Sequence, residues 1–149
     1  MNSSGIVSAL LHHKGSQIWS VSPETTVYEA IKMMAEKNIG ALLVMAEGKL
    51  FGVFTERDYT RKVALQGKSS KETRVKEICS SDVVTVGLHH SVEDCMKLMT
   101  ERRMRHLPVV AAGAVVGLVS IGDLVNWTIS AQNATIAQME QYIAGGLPG

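Results

Sequence analysis

One pattern occurs twice in this chain and decides its fold: GVFTERD at residues 52–58 and GLVSIGD at residues 117–123. Each copy has a glycine, two apolar residues, a hydroxyl residue (Thr55 or Ser120) and, three positions later, an aspartate (Asp58 or Asp123). The copies are 65 positions apart, and with that offset residues 19–59 align with residues 84–124 without a gap. A constant offset indicates one structural unit that is used twice.

An amphipathic helix is predicted before each copy. A hydroxyl residue and, three positions later, an acid mark each helix start: Thr26 with Glu29, and Ser91 with Asp94. Apolar residues then recur at i, i+3, i+4 and i+7, which is the spacing of one helical face. These apolar positions are Val27, Ala30, Ile31 and Met34 in the first helix and Val92, Cys95, Met96 and Met99 in the second.

A β-hairpin of mostly buried strands is predicted after each of these helices. Its apolar runs are residues 41–45 and 50–54 around a turn through Gly48, and residues 107–111 and 115–119 around a turn through Gly113. A short extra strand is predicted before each helix, around residues 18–21 and 83–86.

Another helix is predicted after each hairpin, with Asp58 or Asp123 as its N-cap, and the first of these helices ends near Gly67. The order β-α-β-β-α therefore occurs twice in one α/β fold. We divide the chain into an N-terminal segment (1–17), a first repeat (18–67), a polar linker (68–82), a second repeat (83–129) and a C-terminal helix with a loose tail (130–149). Ile136, Met139 and Ile143 share one face of the C-terminal helix, and Gly145, Gly146, Pro148 and Gly149 end it.

The composition is that of an ordinary globular protein. The chain has 149 residues, 46% of them hydrophobic and 19% charged, with a net charge of +1. A near-neutral charge argues against a general nucleic-acid binder, although Lys68, Lys71, Arg74 and Lys76 leave that reading open. No apolar run has the 18 or so residues of a membrane span, and the start of the chain does not resemble a signal peptide.

Cysteines and histidines give no pattern of a metal site. Cys79 and Cys95 form no CxxC pair, which favours free thiols in a reducing cytoplasm. The histidines occur as two adjacent pairs and as lone His106, without the i, i+4 spacing of a helical metal site. We therefore expect that no metal is required and that the protein is cytoplasmic.

The repeated stretch resembles the G-h-h-[ST]-x-x-D signature of CBS domains, the regulatory modules named after cystathionine β-synthase. MRHLPV at residues 104–109 is similar to the H-R-x-P-V strand start of that family. The resemblance covers roughly residues 15–129, and the C-terminal helix resembles that of small stand-alone bacterial proteins with a CBS pair. It implies two repeats that pack with pseudo-twofold symmetry into one CBS pair (a Bateman-type module).

The repeated aspartates suit nucleotide binding. One carboxylate can accept hydrogen bonds from two neighbouring ribose hydroxyls, and a helix N-terminus suits a phosphate. Thr55 and Ser120 can donate to phosphate or ribose oxygens. The alternative is that the aspartates are only N-caps and the hydroxyl residues only turn residues; the occurrence of two intact copies favours nucleotide binding.

The resemblance implies two clefts, each built from the aspartate and hydroxyl residue of one repeat and the strand start of the other. The first cleft would use Thr55 and Asp58 with Val84, Met104, Arg105, His106 and Pro108. The second would use Ser120 and Asp123 with Trp19, Ile39, Gly40, Ala41 and Arg57. Lys14 is read either as a further phosphate contact or, preferably, as a surface lysine.

The sequence predicts a sensor module and not an enzyme, because it has no nucleophile–base pair and no phosphate-loop signature. Its expected ligands are adenine nucleotides of the AMP, ADP, ATP or NAD type, and it would signal their binding to an unidentified regulated protein. Met33, Met34, Met96 and Met99 predict paired helices at a homodimer contact. The alternatives are a small enzyme or redox protein that acts on an adenine dinucleotide, and a purely structural dimer with vestigial clefts.

Overall fold

Residues 6–15, 17–141 and 143 are described by a computed structural model, in which helices and strands alternate in a mixed α/β fold. The elements are α1 (Val7–Lys14), β1 (Ser20–Val21), α2 (Val27–Lys37), β2 (Ala41–Ala46), β3 (Lys49–Thr55), α3 (Glu56–Tyr59), a π-helix (Thr60–Ala64), α4 (Val75–Ile78), α5 (Val92–Arg102), β4 (His106–Ala111), β5 (Ala114–Ser120) and α6 (Ile121–Gln141). No helix of the described ranges is both long enough and apolar enough to cross a membrane.

The two predicted helices before the repeated stretches are confirmed as α2 and α5. The Thr26 hydroxyl accepts a hydrogen bond from the backbone N–H of Glu29 at the start of α2. Ser91 and Asp94 form the full reciprocal capping box at the start of α5. Both helices then end at a residue in the left-handed conformation, Asn38 (φ 55°) and Arg103 (φ 53°). The two repeats are therefore also alike in how these helices end.

Both predicted hairpins are confirmed. In the first, β2 pairs antiparallel with β3, and β1 adds a third strand parallel to β2. In the second, β4 pairs with β5. Each turn has two residues with positive φ, Glu47–Gly48 and Ala112–Gly113, which is the geometry of the type I′ turns that suit the twist of short hairpins.

Backbone proximity divides the chain into two units. Residues 17–85 and 108–118 form one unit, which we name the Asp58 unit. Of the described residues, 6–15, 86–107, 119–141 and 143 form the other, which we name the Asp123 unit. The core of the Asp58 unit contains Phe54, Leu42 and Val44 from the sheet, all fully buried. Buried side chains of the Asp123 unit include Val7, Leu10, Cys95, Met99, Leu107 and Leu124, which lie on α1, α5, β4 and α6, and Val119 of β5.

Helix α1 was not expected from the sequence. Val7, Leu10 and Leu11 are buried along one of its faces. The helix is also anchored through its backbone, because the N–H groups of Val7 and Ser8 donate to the carbonyl oxygens of His90 and Leu88 at 2.9 and 3.0 Å. The segment before the first repeat is therefore part of the packed Asp123 unit.

The predicted strand at residues 83–86 does not form, and only Val86 makes a single bridge. The backbone instead meets β3 earlier, at Ser80, where Ser80 and Val53 exchange two hydrogen bonds of 3.0 and 3.1 Å. At the offset of 65 residues Val86 corresponds to Val21, so the counterpart of β1 in the second repeat is reduced to one bridge.

The segment predicted as a polar linker, residues 68–82, contributes to a core. It contains α4, whose Val75 and Ile78 are buried against the sheet of the Asp58 unit. Thr73, which is also buried, donates its hydroxyl hydrogen to the carbonyl oxygen of Ser69 at 2.7 Å. Because this segment is mostly polar, the sequence analysis overlooked Val75 and Ile78, an apolar pair at i, i+3 spacing.

The C-terminal helix is not separate from the second repeat. A single helix, α6, begins at Ile121 and continues to Gln141, because neither glycine nor proline interrupts residues 123–141. The first repeat differs as expected: its helical segment gives way to a turn at Gly67 (φ 68°). The tail predicted at Gly145, Gly146, Pro148 and Gly149 lies outside the described residues.

Candidate functional site

The first repeated stretch forms a reciprocal capping box at the start of α3. The backbone N–H of Asp58 donates to the Thr55 hydroxyl oxygen at 3.1 Å, and the backbone N–H of Thr55 donates to Oδ2 of Asp58 at 3.0 Å. The other carboxylate oxygen, Oδ1, lies 3.3 Å from the ammonium group of Lys62, one helical turn later. Lys62 also donates to the Ile78 carbonyl oxygen at 3.2 Å, so its side chain bridges the capping box and α4.

The second repeated stretch forms the same box at the start of α6. Here the N–H of Asp123 donates to the Ser120 hydroxyl oxygen at 3.0 Å, and the N–H of Ser120 donates to Oδ2 of Asp123 at 2.9 Å. The cation comes from another element: Lys14, the last residue of α1, forms an ion pair with Oδ2 of Asp123. Both partners are partly exposed, at 33% for the lysine and 25% for the aspartate side chain.

These contacts correct the predicted capping roles. The N-cap of α3 is Thr55, and Asp58 is the third residue of the helix. Asp123 has the equivalent relation to Ser120. The reason is the spacing itself, since a hydroxyl residue followed three positions later by an acid satisfies two free backbone N–H groups reciprocally, whereas an aspartate at the N-cap would satisfy one.

Gly52, the glycine of the first repeated stretch, lies where two backbone segments approach each other closely. A Cβ atom added at Gly52 would lie 2.4 Å from the carbonyl oxygen of Ser80 and 3.2 Å from the Cys79 sulfur. Any larger residue would separate β3 from the segment that bridges to it. Gly52 therefore allows residues 79–80 to pack against the strand that leads to Thr55.

Each helix start is hydrogen-bonded to the strand start of its own repeat. The N–H of Glu56 donates to the Gly40 carbonyl oxygen at 3.1 Å, and Ala41 pairs with Thr55 across the sheet. Likewise, the N–H of Ile121 donates to the Arg105 carbonyl oxygen at 2.8 Å. The association of each strand start with the aspartate of the other repeat, which the family resemblance implies, stays a prediction.

His106 lies in the electrostatic environment of Asp123. Burial lowers the pKa of His106, the nearby Asp123 carboxylate raises it, and the positive charges of Lys14 and Arg105 lower it further, with a net decrease. A neutral imidazole at neutral pH follows. His106 is therefore suited to a hydrogen bond with a ligand, and Arg105 and Lys14 are the groups that carry positive charge there.

The remaining predicted residues divide between the two units. In the Asp58 unit, the Trp19 ring lies 4.2 Å from the ammonium group of Lys37, and Trp19 accepts a backbone bond from Leu43. The N–H of Ile39 donates to the Met34 carbonyl oxygen, as that of Met104 does to Met99 in the Asp123 unit. Also in the Asp58 unit, Val84 is half-buried, Pro108 is buried and Arg57 is exposed.

Lys62 was missed by the sequence analysis, and Lys14 was read preferably as a surface lysine. Lys62 had a usable signal, since it lies four residues after Asp58 on a helix. Lys14 had none, because 109 positions separate it from Asp123. Within residues 6–15, 17–141 and 143, no group of three or more histidine, cysteine, aspartate or glutamate side chains is arranged to hold a metal ion.

Known proteins are similar to this chain in sequence. The CBS domain profile matches the chain twice, at residues 14–65 and 75–130. The CBS domain-containing protein CBSX3, mitochondrial, of Arabidopsis thaliana is 40% identical over 137 residues, which is 89% of this chain and 66% of that protein. This chain thus spans just under two thirds of the length of that relative.

Solved structures of the same fold are also similar. A putative signal-transduction protein with CBS domains from Burkholderia ambifaria superimposes with a TM-score of 0.82 at 51% identity, over 85% of this chain and 96% of that one. The CBS domain pair of protein MJ0100, in complex with 5-methylthioadenosine and S-adenosyl-L-methionine, gives a TM-score of 0.75 at 25% identity, over 85% and 97% of the two chains. With two profile matches that cover most of its residues, this chain belongs to the CBS domain family and contains two CBS repeats.

Proposed function

We propose that this chain is a regulatory module that binds adenine nucleotides, of the AMP, ADP, ATP or NAD type, and signals their binding to a partner protein. The observation that carries the proposal is the second capping box, where one carboxylate lies beside Lys14 and in the electrostatic environment of Arg105 and His106. A nucleotide presents the complementary groups, namely ribose hydroxyls as donors and phosphates as anions.

The two oxygen atoms of the Asp123 carboxylate are not equivalent in their contacts. Its Oδ2 atom already accepts from Ser120 and Lys14, so Oδ1 is the atom that would accept the ribose hydroxyls. The phosphate would lie toward Lys14 and Arg105. At Asp58 the same box exists with Lys62 on Oδ1, so a ribose there competes with a lysine for that oxygen.

The relatives support an adenosine ligand. The MJ0100 domain pair holds 5-methylthioadenosine and S-adenosyl-L-methionine, and both molecules contain adenosine. Neither contains a phosphate, so the preference of this chain for a phosphorylated ligand rests on its own cations. Trp19, Ile39, Ala41, Val84, Met104 and Pro108 remain proposed contacts for the base, and Gly40, Arg57 and Thr55 for the sugar and phosphate.

A regulatory role is favoured over a redox role by the state of the thiols. Burial raises the pKa of Cys95 to about 11, with a smaller contribution from Asp94. Burial, followed by the charge of Asp58, also raises the pKa of Cys79. Neither sulfur is therefore a reactive thiolate at neutral pH, and free thiols fit the cytoplasmic location that forms part of this proposal.

We also propose a homodimer, but with a different contact from the one predicted. Met34 and Met99 are buried within their own units, at 2% and 3% exposure, and Met33 and Met96 are half-buried. Met34 and Met99 therefore present almost no surface to a second copy of the chain. Four of the eight large exposed apolar side chains in the described ranges lie instead on α6, and a fifth, Ile143, lies just beyond it.

The test is calorimetric titration of the full chain with AMP, ATP, NAD and adenosine. We expect the wild type to bind at least the phosphorylated ligands, and the double variant Asp58→Ala/Asp123→Ala to lose about tenfold to a hundredfold in affinity, since a hydrogen bond to a charged group contributes roughly 1.5–3 kcal/mol. Asp94→Ala is the matched control, because Asp94 closes an equivalent capping box on α5. Equal losses in the control, or no binding by the wild type, would contradict the proposal. Sustained nucleotide turnover would favour the enzyme alternative.

A further inference from the structure

The second half of α6 lacks a described partner element. Every residue from 132 to 141 is exposed, including residues on all sides of the helix. An isolated helix of this length is only marginally stable in water, because most helical stability in proteins comes from packing of an apolar face. The first half is different, since Leu124 is fully buried in the Asp123 unit. The second half therefore requires an external surface to pack against.

The exposed apolar residues of α6, together with Ile143 two positions beyond its last residue, form one regular seam. Val125, Ile129, Ile136, Met139 and Ile143 are between 42% and 63% exposed. Their positions alternate between steps of four and three residues when Gln132 is included, which is the a/d repeat of a coiled coil. We call this row the α6 seam, with Val125, Gln132 and Met139 at d positions and Ile129, Ile136 and Ile143 at a positions.

The charge of α6 restricts the partner. Between residues 124 and 141 only Glu140 is charged. A charged partner would find no complementary group along the seam, and an anionic lipid surface would not find the lysine and arginine residues that usually flank such a face. A second copy of α6 presents the same apolar spacing, and its single charge in this range, Glu140, lies beside the seam and not on it.

We propose that α6 pairs with α6 of a second copy of this chain as a parallel, in-register coiled coil. In a parallel pair Gln132 faces Gln132, and the two amides can hydrogen-bond to each other. In an antiparallel pair that aligns the whole seam, Gln132 would face Ile136, so each amide would be buried without a partner. A single polar residue in an apolar seam commonly fixes register in this way.

This proposal concerns assembly, so its outcome is separable from nucleotide binding. The first experiment measures the mass of the full chain at micromolar concentration by analytical ultracentrifugation. We expect a dimer for the wild type and monomers for Ile136→Glu and Ile136→Lys, because like charges would meet across the pair. A mixture of these two variants should recover a heterodimer, since glutamate then faces lysine.

Ala134→Glu and Ala134→Lys are matched controls, because residue 134 lies opposite the seam and should tolerate either charge as a dimer. Circular dichroism confirms that each variant is folded. A monomeric wild type, dimeric Ile136 variants, or a mixture that stays monomeric would each overturn the proposal.

A second experiment tests the direction of the pair by oxidative cross-linking. Gln132→Cys should form a disulfide-linked dimer on mild oxidation, and Ala134→Cys should not. Cross-linking that requires a mixture of Gln132→Cys with Ile136→Cys would show an antiparallel pair and overturn the parallel arrangement. The native cysteines are not expected to interfere, because Cys95 is buried and Cys79 is partly buried.

Discussion

The two capping boxes have almost the same hydrogen bonds but obtain their lysine in different ways. The reciprocal bonds are 3.0 and 3.1 Å in the Thr55 box and 2.9 and 3.0 Å in the Ser120 box. At Asp58 the lysine comes from the same helical segment, four residues later. At Asp123 that position is Trp127, and the lysine comes from α1.

This difference follows from what lies beside each box. Trp127 packs edge-on against His13, with ring centroids 5.6 Å apart, and this contact holds the end of α1 beside α6. The adjacent Lys14 is thereby within reach of Asp123. The first repeat thus carries its cation within a few residues, whereas the second depends on tertiary packing. A ligand on Oδ1 of Asp123 would therefore bind beside a contact that connects two helices.

The largest effect that tests this comparison is the loss of one aspartate at a time. Asp58→Ala should weaken one class of binding site, and Asp123→Ala the other, each by about tenfold to a hundredfold. Two-site calorimetry with AMP and NAD measures both constants in each variant. If both substitutions weaken the same class of site, the two boxes serve one ligand and the comparison between two separate sites is wrong.

The sequence predicted what local patterns determine. The turns at Gly48 and Gly113, the helices α2 and α5 and the hydroxyl N-caps of these helices are all encoded within a few residues. Contacts between segments that are distant in the sequence were missed, because no pattern within a few residues reveals them. Lys14 meets Asp123 only because Val7, Leu10 and Leu11 anchor α1, and the bridge at Ser80 depends on the space left by Gly52.

The next effect is on stability, and it tests whether the two boxes stabilise their helix starts equally. Thr55→Ala and Ser120→Ala each remove the hydroxyl that accepts from the aspartate N–H. We expect each to lower the free energy of unfolding by about 1 kcal/mol, as measured by urea denaturation. Thr55→Ser retains the hydroxyl and serves as the control. A loss at only one box would show that the other helix start is held by different contacts.

A smaller effect should come from the lysines. Lys14→Met removes the ammonium that we place toward the ligand phosphate, so it should weaken AMP but not adenosine at the Asp123 site. A partly exposed ion pair contributes roughly 0.2–1 kcal/mol, which limits the change to about fivefold or less. Lys14→Arg should retain the preference for AMP, and Lys62→Met should leave the Asp123 site unchanged. Equal weakening of AMP and adenosine by Lys14→Met would assign Lys14 to the structure of the site and not to phosphate selection.

The smallest effect is a difference between the two boxes in how stability depends on pH. His106 has no counterpart at the first box, where Ala41 takes the equivalent position. The pKa of His106 is lower in the folded chain than in the unfolded chain, mainly because of burial, while Asp123 opposes the decrease and Lys14 and Arg105 add to it. The unfolded chain therefore binds more protons as the pH falls past the usual histidine pKa of about 6.5. The contribution of neutral His106 to stability is complete above that pH and is lost progressively below it.

We expect the melting temperature of the wild type to fall between pH 7 and pH 5.5 more steeply than that of His106→Gln, with the exposed His89→Gln as a control that follows the wild type. Parallel curves for wild type and His106→Gln would show that the imidazole does not need to be neutral in the folded protein.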